Sequence, residues 1–264
     1  MKHTIQHLIL TSCLALNVGC AATGKSDSFT FTPDFPLSFK FSVLATYVPA
    51  KGETCTVPGG KNTQLGFNME GQEYKPAADI VLHRTVSGCP LALHLVEIKV
   101  TGIYGEDWGD RSSDTAWIAV RNEALVQSKG TFNAAGKSAF SGQCQWLFRT
   151  VGKLRRIVKI LECKNTDAQG NVTKAHPFTV FTRDQLPGKT VRLTIKLADE
   201  EKPGWGDTWV QVPGGWKRCM GKGFEDQHAY CNGNYTDFST FRMPDGRDTC
   251  TIYPGCTENK EVTP

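Results

Sequence analysis

Three segments of this chain alternate apolar and polar residues with a period of two, at 37–43, 93–100 and 191–197. Such alternation puts one side of a β-strand against a core and the other side in water. Clusters rich in Gly and Pro, such as 58–60 and 213–215, separate the alternating segments, and no long stretch has a helical period. The pattern predicts an all-β chain of the sandwich class.

A Trp-Gly-Asp triplet occurs twice, once at Trp108 and once at Trp205. Each triplet follows an alternating segment and precedes a second Trp and a short apolar run. This unit is far longer than a solenoid repeat, which spans about 20–50 residues. The repeat therefore predicts two tandem disulfide-stapled β-sandwich domains, at residues 29–150 and 151–264.

The first residues have the pattern of a bacterial secretion signal. Lys2 opens the chain, an apolar stretch covers residues 8–16, and small residues surround Gly19 and Cys20. That order of charge, apolar core and small residues is typical of a cleaved signal peptide. The stretch is too short to cross a bilayer, which needs about 20 apolar residues. We expect the signal peptide to occupy residues 1–19.

The segment Val18-Gly19-Cys20 resembles the lipobox of bacterial lipoproteins, although Asn17 stands where that motif usually has Leu. The resemblance implies a palmitate-bearing lipid anchor on Cys20, followed by a short polar tether at residues 20–28. Ala21 is not the Asp that favours retention in the inner membrane, so the resemblance implies the periplasmic face of the outer membrane. The alternative is ordinary cleavage after Ala22, which would give a soluble periplasmic protein.

The chain has ten cysteines, and either form of cleavage leaves eight of them for the folded domains. An even number in an exported chain predicts disulfides. Cys144 and Cys163 lie nearly opposite each other when counted outward from a turn at Gly152-Lys153, within disulfide reach. The spacing of the others predicts these further pairs: Cys55–Cys89, Cys219–Cys231 and Cys250–Cys256.

Several functional classes lack their signatures in this sequence. The net charge of +4 is too small for a nucleic-acid-binding surface, and we interpret the basic run at 153–159 as the solvated edge of a strand. The cysteine spacings do not match zinc motifs. No Gly-x-Ser-x-Gly, His-Glu-x-x-His or phosphate-binding loop occurs. We therefore predict a binding protein with no catalytic residues, metal, cofactor or nucleic-acid partner.

The loops that follow the two repeated strands combine Trp with carboxylates, which suits the binding of a protein partner. Both loops would leave equivalent ends of the two sandwiches. A structural alternative is that Gly and Asp close a turn while Trp packs on the strand end. The candidate partner-binding residues are Trp108, Asp110, Asp199, Glu200, Glu201 and Trp205.

A family resemblance adds a specific function. It rests on Val18-Gly19-Cys20, on the strand openings at 35–41 and 89–93, and on Pro187-Gly188-Lys189-Thr190-Val191. These segments are similar to proteobacterial β-sandwich lipoproteins of the kind encoded beside type VI secretion phospholipase effectors. The resemblance implies an immunity protein that binds a secreted phospholipase toxin in the periplasm. The alternative is a carbohydrate- or envelope-binding lipoprotein without catalytic activity.

Overall fold

A computed structural model describes residues 27–70, 77–123, 129–223 and 225–257 of the protein. The predicted signal peptide at 1–19, Cys20 and most of the tether at 20–28 lie outside the described residues. None of the described residues belongs to a helix long and apolar enough to cross a membrane. The described residues form sixteen strands, in this order: β1 (Ser28–Asp34), β2 (Phe39–Pro49), β3 (Leu65–Glu70), β4 (Ala78–Val81), β5 (His83–Val86), β6 (Cys89–Ile103), β7 (Arg111–Arg121), β8 (Lys137–Val151), β9 (Arg156–Asn165), β10 (Phe178–Thr182), β11 (Thr190–Leu197), β12 (Lys202–Pro203), β13 (Trp209–Val212), β14 (Gly215–Cys219), β15 (Phe238–Ser239) and β16 (Tyr253–Pro254).

Two six-stranded sheets form a sandwich. One has the strand order β12-β8-β11-β1-β4, with β9 also paired to β8, and the other has the order β10-β7-β6-β2-β3, with β5 also paired to β6. Buried apolar side chains of both sheets, including Phe31 and Leu193 from one and Ile98 and Ile118 from the other, share one core. The predicted all-β fold is confirmed, because alternation supplies each sheet with one apolar face.

The alternating segments behave as predicted except at one end. Val191, Leu193 and Ile195 all point into the core of the sandwich. Leu37 is fully exposed instead, because a turn precedes β2 and the Phe39 backbone N–H donates to the Pro36 carbonyl at 2.9 Å. The strand pattern therefore begins two residues later than the sequence predicts.

A smaller four-stranded sheet follows the sandwich, with the order β13-β14-β15 and with β16 also paired to β14. We call residues 204–257 the C-terminal unit. Its core is largely aromatic and separate from that of the sandwich. Phe148 and Ile157, from the tip of the β8–β9 hairpin, extend into this core, and the Phe148 ring stacks on Tyr253 with centroids 4.1 Å apart. One hairpin therefore supports both cores.

The boundary predicted between residues 150 and 151 is wrong. It falls at the end of β8, inside the hairpin that both cores share. The later strand β11 returns to the sandwich and pairs in parallel with both β1 and β8. Residues 151–197 consequently complete the first unit, and the chain enters the C-terminal unit after β12.

The two Trp-Gly-Asp segments are not structurally equivalent. The segment at Trp108 lies in the loop that connects β6 and β7, which are antiparallel neighbours in one sheet. The segment at Trp205 carries the chain out of the sandwich toward β13, in the C-terminal sheet. The repeat in sequence therefore does not correspond to a repeat in topology.

All four disulfides form as predicted, between Cys55 and Cys89, Cys144 and Cys163, Cys219 and Cys231, and Cys250 and Cys256. Cys144 and Cys163 are directly opposite in the register of β8 and β9. This pairing was predictable because both partners belong to one hairpin, whose register is set by its turn.

Removal of disulfides should destabilise the protein in order of loop length. The Cys144–Cys163 bond closes a separation of 19 residues and the Cys250–Cys256 bond one of 6 residues. Loop-closure entropy gives about 3 kcal/mol for the first and about 2 kcal/mol for the second. Urea unfolding of the two double Cys→Ala variants measures the difference. A larger loss for the Cys250–Cys256 variant would contradict this order.

Candidate functional site

The structure brings the two predicted binding segments to the same region by different routes. The first is the β6–β7 loop, residues 104–110. The second is the segment 198–208, which β12 fixes through pairing of Lys202 with Leu147 and of Pro203 with Phe148. Both segments contact β9 through its basic side chains, Arg156 and Lys159. The hairpin therefore holds the two segments side by side.

Asp110 has a structural role. Its side chain is buried, with the residue 3% exposed, and it accepts a hydrogen bond from the Arg156 guanidinium at 3.1 Å. Its backbone also closes the loop, since its N–H donates to Asp107 and its carbonyl accepts from Tyr104. Burial and the ion pair favour a structural role for this carboxylate, and partner binding by Asp110 stays a prediction.

Trp108 lies at the tip of the same loop and is 84% exposed. The Arg111 guanidinium lies 5.3 Å from the centroid of its ring, and Arg111 Nε donates to the Trp108 carbonyl at 2.7 Å. Arg111 therefore contacts the Trp108 residue while most of the indole stays exposed, and an exposed aromatic side chain of this kind can anchor a binding partner.

Glu201 joins the sandwich to the C-terminal unit. One carboxylate oxygen accepts from Lys159 Nζ at 2.6 Å, and the other accepts from the Tyr253 hydroxyl. Burial raises the pKa of Tyr253, and the Glu201 carboxylate raises it further. Lys159 Nζ also lies 5.8 Å from the centre of the Tyr104 ring. Two side chains therefore hold the Glu201 carboxylate in place, whereas the neighbouring carboxylates of Asp199 and Glu200 have no such contacts among the described residues.

A groove of about 780 Å³ opens between the segment 199–207 and the C-terminal sheet. Asp199 and Glu200 are exposed at this groove and form no ion pair with any described residue. Four carboxylates and one amine give the lining a negative balance. The charged lining residues are Asp199, Glu200, Glu201, Asp207 and Lys202.

Aromatic side chains form much of the apolar lining of this groove. Trp205 was predicted and is 41% exposed. Sequence reasoning missed the other three, Trp209, Trp216 and Tyr253. Their presence in a short C-terminal segment was visible in the sequence, but only the pairing of β14 with β13 and β16 places them together.

A second groove, of about 440 Å³, lies on the other side of the Lys159–Glu201 ion pair. It is formed by the β6–β7 loop and by residues 243–245 of the C-terminal unit. Glu106, Asp107, Asp245 and the largely buried Asp110 contribute carboxylates, while Lys159 is the basic lining residue. The two grooves together give this region an extended acidic surface with aromatic side chains.

The basic run at 153–159 is not the solvated strand edge that the sequence suggests. Arg155 is 1% exposed, and its guanidinium donates to the carbonyls of Cys219 and Gly223 at 3.0 and 2.8 Å. Arg156 and Lys159 bind the acidic side chains described above. The run therefore attaches the C-terminal unit and the two binding segments to the hairpin.

Free thiols and metal-binding clusters are both absent from the residues that the structure describes. All eight described cysteines are in disulfides, so none is a thiol nucleophile. No group of three or more His, Cys, Asp or Glu side chains in the described ranges is placed to hold a metal ion. What the grooves present is charge, aromatic surface and volume, which are the elements of binding.

Comparison of the chain with protein families, with curated proteins and with solved structures finds no match.

Proposed function

We propose that this protein is an exported, membrane-anchored binding protein that neutralises a lipase-type toxin of a type VI secretion system without catalytic turnover. The observation that carries the proposal is the meeting of two acidic grooves around the Lys159–Glu201 ion pair, with Trp205 exposed in one groove and Trp108 exposed at the tip of the β6–β7 loop. The family resemblance of the strand openings and of the lipobox-like segment supplies the class of partner. Lipidation of Cys20 and a site at the outer membrane are part of the proposal.

The charge of the grooves favours a basic partner. Asp199, Glu200 and Asp207 line one groove, while Glu106 and Asp107 line the other. Carboxylates in concave surfaces concentrate their field and speed the association of a cationic surface. The acidic region spans both grooves, so it suits a protein surface with several basic side chains.

The aromatic side chains supply the affinity that exposed charges alone do not. Interfaces depend on a few aromatic anchors within a polar rim. Trp108 and Trp205 are held in place by Arg111 and Arg149, which lie 5.3 and 5.4 Å from the ring centroids. Side chains that are ordered before binding lose less conformational entropy when a partner arrives.

Four disulfides are consistent with an exported protein, because such bonds persist in oxidising compartments. The disulfides would persist equally in a soluble and in a lipid-anchored form, so they support export without choosing between the two.

The carbohydrate-binding alternative has one specific observation in its favour. Trp205, Trp216 and Tyr253 line the same groove as Glu200 and Asp207, and sugars bind to aromatic rings beside polar groups. A sugar ligand would occupy only this groove and would not need the acidic β6–β7 loop.

Periplasmic co-expression with a type VI secretion phospholipase effector tests the function. We expect the wild-type protein to restore growth to cells that export the active toxin, while an empty vector does not. Lack of protection by a wild-type protein that reaches the periplasm and is folded would overturn the immunity function. Binding of an envelope oligosaccharide that is lost in Trp216→Ala would then establish the alternative.

A further inference from the structure

A third cavity, of about 100 Å³, shares Trp205 and Trp209 with the larger groove but has the opposite charge. Two guanidinium groups, those of Arg149 and Arg218, line it together with His228. Of the described residues that line this cavity, none is Asp or Glu. A basic pocket therefore lies directly beside an acidic groove, and the proposed toxin interface does not account for it.

Arg149 has unused hydrogen-bonding capacity in this pocket. It forms no hydrogen bond or ion pair within the part of the chain described, and its Nε is buried without a partner. Its guanidinium lies 5.4 Å from the Trp205 ring centroid, and that ring also stacks on His228 with centroids 5.7 Å apart. Buried donors without acceptors are costly, so a guanidinium held this way is suited to an incoming acceptor.

Arg218 differs, because protein acceptors already satisfy it. Its donors reach the carbonyls of Thr208, His228 and Ala229 and the Thr150 hydroxyl at 2.6–2.9 Å. Burial and, after it, the nearby charge of Arg155 lower the pKa of Arg218 to about 10. Arg218 thus contributes a fixed positive charge to the wall, while Arg149 keeps donors for a ligand.

The carboxylate of Asp226 interacts electrostatically with the Arg218 guanidinium and opposes the lowering of its pKa. Its carboxylate is occupied by the backbone N–H groups of Lys222, His228 and Ala229, at 3.0–3.2 Å. These bonds lower the pKa of Asp226 and keep it charged. Asp226 does not line the pocket, whereas the buried Arg218 and the half-buried Arg149 do, so the pocket retains an excess of positive charge.

We propose that the pocket formed by Arg149, Arg218 and His228 binds a phosphate group. Guanidinium groups bind phosphate through paired, charge-assisted hydrogen bonds. Thr150 Oγ1 accepts from Arg218 Nε at 2.9 Å, so its own hydroxyl proton is free to donate to a phosphate oxygen. The volume equals a few water molecules of about 30 Å³ each, which suits one phosphate group.

Phosphate titration of the purified protein tests this site at constant ionic strength, with chloride as the replaced anion. Trp205 lines the pocket, so its fluorescence reports on binding, and the thermal midpoint gives an independent readout. We expect saturable binding by the wild type. Arg149→Gln should weaken the affinity about tenfold or more, because charge-assisted hydrogen bonds are lost.

Arg192→Gln is the matched control, because it removes the same charge from an exposed position on β11. Its register partner Ala139 lies ten residues from Arg149 along β8, which is about 33 Å. We expect this variant to bind phosphate as the wild type does. Arg149→Lys keeps the positive charge but loses the paired donors of the planar guanidinium group, so this variant should bind phosphate with intermediate affinity.

Two arms separate the sources of phosphate. Inorganic phosphate represents the free ion, and phosphatidylcholine vesicles with and without phosphatidic acid represent a lipid headgroup. Arg149-dependent binding in the first arm alone identifies a free-anion site, and stronger Arg149-dependent binding to phosphatidic acid identifies a headgroup site. Absence of an Arg149-dependent response in both arms, with folded variants, would overturn the proposal.

Discussion

Replacing Arg155 with Met should lower the free energy of unfolding by about 4 kcal/mol or more. Arg155 donates to the carbonyls of Cys219, Met220, Gly223 and Asp226 and to the Ser239 hydroxyl. Loss of the guanidinium leaves several buried acceptors unsatisfied, at about 1–3 kcal/mol each before relaxation. Urea unfolding followed by Trp fluorescence measures the effect, since Trp209 and Trp216 belong to the C-terminal unit.

The matched control is Arg192→Met, which removes an exposed guanidinium and should change stability by no more than about 0.5 kcal/mol. Arg155→Lys should restore little, because an ammonium group cannot direct donors to so many separate acceptors. A loss below 1 kcal/mol in Arg155→Met would show that the loops of the C-terminal unit do not depend on this side chain.

Charge reversal of Asp199 and Glu200 together should weaken binding of the toxin about tenfold or more at low salt. Both carboxylates are exposed at the groove and have no ion pair with described residues, so the folded structure does not need them. The loss should fall mainly on the association rate and should shrink as salt rises, because the Debye length falls from about 10 Å at 0.1 M to about 3 Å at 1 M. Surface plasmon resonance over a salt series gives both rates.

The control for this pair is the double variant Glu53→Lys and Glu123→Lys. Both residues are exposed, and they follow the ends of β2 and β7 that lie farthest from the β6–β7 loop. The same change in net charge should leave the affinity within about twofold of the wild type. Glu201 is unsuitable for such a test, because its reversal would also break the contacts to Lys159 and Tyr253. Equal losses in both double variants would show that net charge alone acts.

Local patterns in the sequence predicted those parts of the structure that depend on neighbours along the chain. Alternation identified β11, and counting from the turn at Gly152 identified the Cys144–Cys163 bond. The domain boundary depended on a distant contact instead. Thr30 pairs with Thr190 in parallel, and no pattern among neighbouring residues predicts that β11 pairs with the first strand of the sandwich.

The same distinction applies to the candidate site. Trp205 and Glu201 belong to one short loop and line the same groove, while their binding of a partner stays a prediction. The burial of Arg155 could not be predicted, since its partners Cys219 and Ser239 lie 64 and 84 residues away in the sequence. The ion pair of Asp110 with Arg156 could not be predicted either, because it spans 46 residues. Tertiary contacts bury both the Arg155 guanidinium and the Asp110 carboxylate, and no pattern of neighbouring residues predicts this burial.

Inhibition by binding is tested most directly by titrating the phospholipase activity of a type VI secretion effector with the purified protein. Phospholipase activity should fall in proportion to the added protein and be abolished at one equivalent, with the protein recovered intact in a stable complex. Reversal of Asp199 and Glu200 should shift this curve to higher protein concentration. Full phospholipase activity in the presence of excess folded protein would contradict inhibition by binding.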